Sequence, residues 1–360
     1  MTNPSLAYIS RGQLHVQHDG GGEILESPFG RSLRDRAIQI HNRNAWKLRG
    51  RGGQSLSRAL RTPEERNPGE FRIAITSVTR GRTPGELLYT LETDEISGVF
   101  ARDASGFERR LFHTADFRTR HLDAHPDGSE VAVSIYYHTQ MANLAVLNTD
   151  GSGLTEVTDG ESLDEAPRWA PGKGRRLVFQ SAGLARDAGS RFAGHGPFAI
   201  QQLDLETGDI SCLAQDDQFD FLLPRYAADG ALYYIRRPNA QVKQPVAPWT
   251  ALLATAALPF RILWTIGMLI QVFIARPTDR PMLVKEMAEE PVKTPSSWLL
   301  MRQGPHGAAE TIADGVLAYE LADDGSVIYS NGVDVYRISA TGKPAAKILA
   351  GVGIDRIAAL

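Results

Sequence analysis

The chain has 360 residues, a formal net charge of −3 at pH 7 and 42% hydrophobic residues. This charge balance gives no support to nucleic-acid binding, and the apolar content suffices for a large core. The single cysteine, Cys212, excludes a disulfide framework and a metal cluster built from cysteines. The first residues lack a basic segment followed by an apolar one, which predicts a cytoplasmic protein rather than a secreted one.

A repeated pattern of short strands runs through most of the chain. One unit begins with His-Pro-Asp-Gly-Ser at 125–129, another with Pro-Arg-Trp-Ala-Pro-Gly at 167–172, and a third at 224–230. A more degenerate unit covers about 71–114, and a last one follows the Asp-Asp-Gly turn at 323–325. Each unit holds β-rich or alternating stretches separated by Asp-Gly or Gly turns, which predicts four short antiparallel strands.

The two ends of the chain complete one further unit. Three strands are predicted near the N-terminus, at 6–10, 13–17 and 23–27, and one near the C-terminus, within 354–360. Joining both ends in one blade closes the ring and removes exposed sheet edges.

The predicted fold class is therefore an all-β, six-bladed β-propeller, closed by N- and C-terminal strands in one blade. A basic helical insertion follows blade one, and a helical apolar insertion lies in blade five. We expect a single domain over 1–360, with the basic, partly helical insertion at 27–70 and the apolar one at 238–295.

Three stretches of the repeat match a known pattern: Pro167 to Gly172, the Pro-Asp-Gly at 126–128, and Asn-Thr-Asp-Gly-Ser-Gly-Leu-Thr-Glu-Val-Thr at 148–158. In these the chain resembles the TolB-type (WD40-like, PD40 repeat) β-propeller family over nearly its whole length outside the insertions. The resemblance implies the fold and says little of function, because propellers host many activities. The resemblance does not imply that this chain has a role in the Tol system.

Strand order predicts that the insertions share one face of the propeller. Strands alternate in direction within a blade. The connection from the second to the third strand therefore emerges on the same side as the connection from the fourth strand to the first strand of the next blade. The segments 27–70, 183–197 and 238–295 all occupy such connections. This placement predicts one docking face.

The first insertion is strongly basic. Between Gly30 and Arg66 there are ten lysines or arginines against three acids, a local charge of +7. Ser32 is the expected N-cap, and Leu33, Ala37, Ile40 and Leu48 fall near one helical face, with Trp46 nearby. A basic, partly amphipathic helix is typical of binding to anionic membranes, and a solvated linker helix packed on its own propeller is the simpler interpretation. The candidate anionic-surface residues are Arg31, Arg34, Arg36, Arg43, Lys47, Arg49 and Arg51.

The apolar insertion is long enough to raise the question of a membrane span. Residues 246–275 carry one charge, Arg261, and Pro259 divides them. A single crossing is disfavoured because the strands on both sides of the insertion belong to the same propeller, and each half alone is too short to span. We therefore expect shallow docking on the membrane surface, through Trp249, Leu252, Leu253, Phe260, Ile262, Leu263, Trp264, Met268, Leu269, Val272 and Phe273.

Three other interpretations of 246–275 remain open. It could pack on the propeller as an extra core, form a homo-oligomer interface, or seat a partner protein.

No catalytic motif is found in the sequence. It contains no Gly-x-Ser-x-Gly nucleophile elbow, no P-loop and no dinucleotide fingerprint. Exposed turn and strand residues are the favoured interpretation of the histidines, and the acidic turns lack the full calcium-loop pattern. Cys212 is expected to be inert on an outer strand. No catalytic residue, cofactor or metal is assigned, and the histidines considered are His113, His121, His125 and His138.

These patterns lead to one functional expectation and one alternative. We expect a non-enzymatic scaffold for protein interaction, cytoplasmic and peripherally attached to the inner membrane through its insertion face. Its partners would be an anionic membrane surface and an unknown protein, and not nucleic acid. The alternative is a propeller enzyme, a lyase or hydrolase, or a small-molecule binder using the central channel. A charged, histidine-containing channel lining would favour that alternative, and an apolar one would count against it.

Overall fold

A computed structural model describes residues 6–18, 21–44, 72–172, 174–186, 192–239, 292–305, 307–340, 342, 344–351 and 353–359. The chain divides into two units. The first comprises Met1–Pro238 and Pro291–Leu360 and contains every strand given below. Of the second, Asn239–Glu290, the description covers only Asn239. The predicted domain organisation stays a prediction.

Four sheets of the described chain have four strands each. The first has the order β25-β1-β2-β3, formed by β25 (Arg356–Ala359), β1 (Leu6–Ser10), β2 (Gln13–His18) and β3 (Gly21–Leu25). The second is β4 (Ile73–Arg80), β5 (Leu87–Thr93), β6 (Ser97–Arg102) and β7 (Glu108–Thr114). The others are β17 (Phe219–Tyr226), β18 (Leu232–Pro238), β19 (Leu299–Gln303) and β20 (Ala309–Asp314), and then β21 (Ala318–Leu321), β22 (Val327–Ser330), β23 (Val335–Ile338) and β24 (Ala346–Leu349).

The fifth sheet has nine strands, so the prediction of six separate four-stranded blades is wrong. Its strands are β8 (Arg118–Ala124), β9 (Glu130–Tyr136), β10 (Ala142–Asn148), β11 (Thr155–Glu156), β12 (Ser162–Trp169), β13 (Arg176–Arg186), β14 (Phe192–His195), β15 (Ala199–Asp204) and β16 (Ile210–Ala214). The physical reason lies in β11, which has two residues and pairs with β10 only at Ala145 and Val146. No residue of β11 pairs with the start of β10, and there Ala142 pairs with Leu163 of β12.

The described residues contain one helix, α1 (Pro28–Asn44), and not the two helical insertions that the sequence predicts. The second predicted insertion, 238–295, lies almost wholly outside the described residues. The helix begins earlier than predicted, because Ser27 and not Ser32 is the N-cap. The Oγ of Ser27 accepts a hydrogen bond from the Gly30 amide at 3.1 Å, and Pro28 occupies the first helical position, where its missing N–H is not needed.

The core lies between consecutive sheets. Side chains of β1 and β2 pack against β4 to β6, for example Ile9 and Val16 against Val78 and Tyr89. Further clusters join each sheet to the next along the chain. Within the nine-stranded sheet, the two halves face each other across Ala132, Val146, Trp169 and Leu177, the members of one small cluster.

The last sheet packs against the first, which closes the arrangement. Leu6 and Tyr8 of β1 share a buried cluster with Ile328 of β22 and Ile357 of β25. Strand β25 pairs with β1 in antiparallel register, with Ala359 opposite Leu6 and Ala358 opposite Ala7. The described strands therefore form an all-β propeller in which both ends of the chain belong to one sheet.

Candidate functional site

The first turn of α1 is fixed against the β4–β7 sheet. The Phe29 ring lies 5.1 Å from the Phe100 ring, measured between centroids, and the Phe29 amide donates a hydrogen bond to Glu108 at 2.9 Å. Gly30 approaches the sheet so closely that an added Cβ would lie 3.2 Å from Ile73. The start of the basic segment is thus a fixed part of the propeller surface.

The arginines of α1 point to solvent. Arg31, Arg34, Arg36 and Arg43 are all exposed, and Arg31 pairs with Glu26 at 3.0 Å. No ion pair joins Arg34, Arg36 or Arg43 to another described residue. The apolar positions predicted to share one helical face, Leu33, Ala37 and Ile40, are half-buried. Among the other residues named with them, Trp46, Lys47, Leu48, Arg49 and Arg51 lie outside the described residues.

A small cleft separates α1 from the edge of the first sheet. Its volume is about 90 Å³, and apolar residues of β3, β4 and β5 form much of its wall. Arg31 and Arg34 line the same cleft, and so does Ile24, whose side chain is 53% exposed. Basic and apolar groups are therefore presented side by side.

The predicted membrane-docking residues fall outside the described part of the chain. These are Trp249, Leu252, Leu253, Phe260, Ile262, Leu263, Trp264, Met268, Leu269, Val272 and Phe273. Among the described residues, no helix has the length and apolar character needed to cross a membrane. The roles assigned to 246–275 in lipid, subunit or partner contact stay predictions.

A second site lies where the innermost strands of the sheets meet. Strand β4 contacts β8 and β25, β12 contacts β8 and β17, and β25 contacts β21. The ring continues between β17 and β21, where the Tyr319 hydroxyl donates a hydrogen bond to the Leu223 carbonyl at 2.7 Å. One polar side chain from each inner strand lines a central cavity of about 20 Å³: Ser77, His121, Arg168, Arg225, Tyr319 and Arg356.

Three inner strands carry the same irregularity at this level. His121, Ala166 and Leu223 have φ values of 56°, 53° and 52°, and they mark a shift in strand register in β8, β12 and β17, respectively. Positive φ is uncommon outside glycine, and a β-bulge of this kind redirects neighbouring side chains. Arg168 and Arg225 each follow two residues after the bulged position. The repeated bulge thus brings charged groups to the cavity, and no turn residue in the sequence signals it.

Two of the three cavity arginines have carboxylate partners. Arg168 pairs with Asp123 at 2.8 Å, and Arg225 pairs with Glu320, which is 5% exposed. Burial, followed by the charge of Arg168, lowers the pKa of Arg225 to about 9. Burial is the larger cause because it disfavours the charged form of the guanidinium, and the neighbouring Arg168 adds to it.

The histidines differ from the exposed residues that we expected. His113 and His138 are exposed, but His121 is half-buried in the cavity wall and His125 is only 7% exposed. His125 packs edge-on against Trp169, with ring centroids 4.7 Å apart, because the Pro-Asp-Gly turn folds back onto the next inner strand. Cys212 is exposed on β16. The described residues contain no group of three or more His, Cys, Asp or Glu arranged to hold a metal ion.

Comparison with known proteins identifies the fold. No family model and no curated protein matches the chain. Among solved structures, TolB from Acinetobacter baumannii is 11% identical with a TM-score of 0.56, covering 99% of this chain and 66% of that one. A chain of a nidogen/laminin complex is 8% identical with a TM-score of 0.56, covering 99% of both.

An oligogalacturonate lyase from Vibrio parahaemolyticus is 9% identical with a TM-score of 0.44, covering 75% of this chain and 64% of that one, too low a score to support an argument. The chain spans 66% of the length of the TolB structure. At these identities the likeness shows the fold alone, a β-propeller similar to that of TolB.

Proposed function

We propose that this chain is a non-enzymatic interaction scaffold that attaches peripherally to an anionic membrane surface through α1. One observation carries the proposal: Arg34, Arg36 and Arg43 are exposed without an ion pair to another described residue, against the one exposed carboxylate of Asp35 in the helix. A fixed helix that presents unpaired arginines loses little conformational freedom when it meets a charged surface.

The cleft beside α1 supports the same proposal. Ile24 is 53% exposed and lines the cleft together with Arg31 and Arg34. An apolar side chain next to arginines suits the boundary between lipid headgroups and acyl chains. Each arginine near an anionic surface contributes about 1 kcal/mol. Two further parts of the proposal rest on the sequence only. They are the location on the cytoplasmic side of the inner membrane and an unidentified protein partner for the opposite face.

Replacing Arg34 and Arg36 with serine should weaken sedimentation with vesicles that contain anionic lipid by about ten- to thirtyfold in partition coefficient. The wild type should lose the same binding as salt rises, since charges are screened beyond about 10 Å at 0.1 M ionic strength. Vesicles of zwitterionic lipid alone should bind neither protein.

The matched control replaces Arg82 and Arg176, which are also exposed but do not line the cleft beside α1. Arg82→Ser/Arg176→Ser removes the same net charge and should bind almost as the wild type does. Equal losses in the two double variants would mean that only total charge matters, and the proposed role of α1 would be wrong.

The charged channel lining favours a second candidate function, the binding of a small molecule in the channel. The lining includes His121 and three arginines, the charged, histidine-containing kind expected of a ligand site. A ligand site and a membrane-docking face are compatible, because a propeller can hold them on different surfaces.

A further inference from the structure

Arg356 differs from the other arginines of the cavity because it lacks a carboxylate partner among the described residues. It lies on β25 and lines the cavity with Arg168 and Arg225. Its Nη1 donates a hydrogen bond to the backbone carbonyl of Asp355 at 3.2 Å, while its Nε is buried and has no hydrogen-bond partner. A buried donor on a charged group is costly to leave unsatisfied, so this atom is available to donate to a bound acceptor.

The surrounding charges do not supply that acceptor. Asp123 is taken by Arg168, and Glu320 by Arg225. Asp355 and Glu165 are the remaining carboxyl groups near Arg356, and burial raises the pKa of Asp355. Glu165 accepts hydrogen bonds from Tyr136 and from Gln180, the latter at 2.8 Å, and burial raises its pKa, which disfavours its negative form.

The start of β8 adds further positive charge. Arg118 and Arg120 share one carboxylate, Glu92, at 3.8 Å and 3.1 Å. Arg120 is 43% exposed and precedes His121 of the cavity lining. With Arg168, Arg225 and Arg356, five arginines lie near three paired carboxylates and near two further carboxyl groups, Asp355 and Glu165, whose pKa values burial raises. Clefts lined by a surplus of one sign attract ions of the other sign.

We propose that the central cavity binds one small anion, a halide or a single carboxylate group, held by Arg356 between Arg168 and His121. The site is independent of the proposed membrane surface. Arginine binds carboxylates through paired N–H donors, and the unsatisfied Nε of Arg356 is one such donor.

The size of the cavity limits the ligand. A volume of about 20 Å³ slightly exceeds the room that one water molecule needs, about 10–15 Å³ on the same measure. A halide or a carboxylate as small as formate fits this space. A sugar or a nucleotide would require the inner strands to move apart.

The pKa of His121 responds to the charges of the same arginines. Burial first, and then Arg356, Arg168 and Arg120, hold the pKa of His121 well below its usual range. An anion beside Arg356 would offset those charges and raise the pKa of His121 towards its ordinary value. The centroid of the His121 ring also lies 6.3 Å from that of Tyr136, and both side chains are half-buried.

The first test compares thermal stability in different sodium salts at equal ionic strength. At 0.1 M, chloride or formate should raise the Tm of the wild type by about 3 °C over gluconate, which is too large to enter. Arg356→Gln should lose this difference, and Arg356→Lys should keep part of it because the charge remains. Arg80→Gln is the matched control, since Arg80 is on inner strand β4, pairs with Asp323 and lies outside the cavity lining.

The second test needs no variant and so does not depend on a mutant that folds. Crystals of the wild type soaked in sodium bromide should show an anomalous peak within about 3.5 Å of the Arg356 Nε. Absence of that peak, together with equal Tm values in formate, chloride and gluconate, would overturn the proposal. A Tm difference that persists unchanged in Arg356→Gln would also overturn it.

Discussion

Glu320→Gln is expected to lower the free energy of unfolding by about 3–5 kcal/mol, because it leaves a buried arginine without its counter-charge. Glu320 is 5% exposed and its carboxylate pairs with Arg225, whose side chain is 18% exposed. The pair links β17 to β21, which are neighbouring inner strands of the ring. Unfolding in urea at pH 7, followed by tryptophan fluorescence, measures the change.

An exposed ion pair gives the control for that prediction. Glu310 pairs with Arg302 at 3.1 Å, and its side chain is 61% exposed. Glu310→Gln should change stability by less than about 1 kcal/mol, because solvent screens such pairs. The double variant Arg225→Met/Glu320→Leu should recover much of the loss, since it removes both buried charges. If Glu320→Gln costs no more than Glu310→Gln, the pair between β17 and β21 does not stabilise the ring.

Deleting residues 354–359 is expected to abolish the cooperative thermal transition of the folded protein. Ile354 and Ile357 are 0% and 4% exposed, and they share a cluster with Leu6 and Tyr8. The deletion exposes that cluster and leaves the backbone of β1 unpaired on the channel side. Each large buried aliphatic group lost costs about 2–5 kcal/mol, and a domain is stable by only about 5–15 kcal/mol.

A peptide supplied in trans makes the second prediction specific to strand pairing. A synthetic peptide of residues 350–360 should restore a cooperative melt to the shortened chain, because it can replace β25 beside β1. The same peptide with Ile357→Asp should fail, since it would place a charge in the apolar cluster. A shortened chain that melts as the wild type does would show that β25 is dispensable for closure.

The strands were largely predictable because each is short and is bounded by a turn residue. The pattern at 108–114 corresponds to β7 in full, and that at 6–10 to β1. The number of blades was wrong because the pattern at 148–158 predicts a strand without revealing its length. Strand β11 has two residues, and the pairing of Ala142 with Leu163 depends on that shortness. Pairing between strands of different repeat units depends on how the units pack in the folded chain. The spacing of the repeat along the sequence does not predict it.

The candidate site was predictable only in part. Exposed arginines on a helix follow from composition and spacing, and α1 presents them. Its N-cap was misplaced because Ser27 precedes Pro28, a sequence that also suits a turn. The channel cluster was missed because His121, Arg168 and Arg356 are far apart in sequence and meet only when the inner strands form a ring.

The most direct test of the proposed docking surface is a fluorescent label beside α1. In a Cys212→Ser background, an environment-sensitive dye attached at Ile24→Cys should shift to the blue when vesicles containing anionic lipid are added, because Ile24 lines the cleft with Arg31 and Arg34. The same dye at Thr207→Cys, in the exposed turn between β15 and β16, should not respond. A shift at residue 24 alone, lost in Arg34→Ser/Arg36→Ser, is the predicted result. No shift at residue 24, or equal shifts at both positions, would contradict attachment through α1.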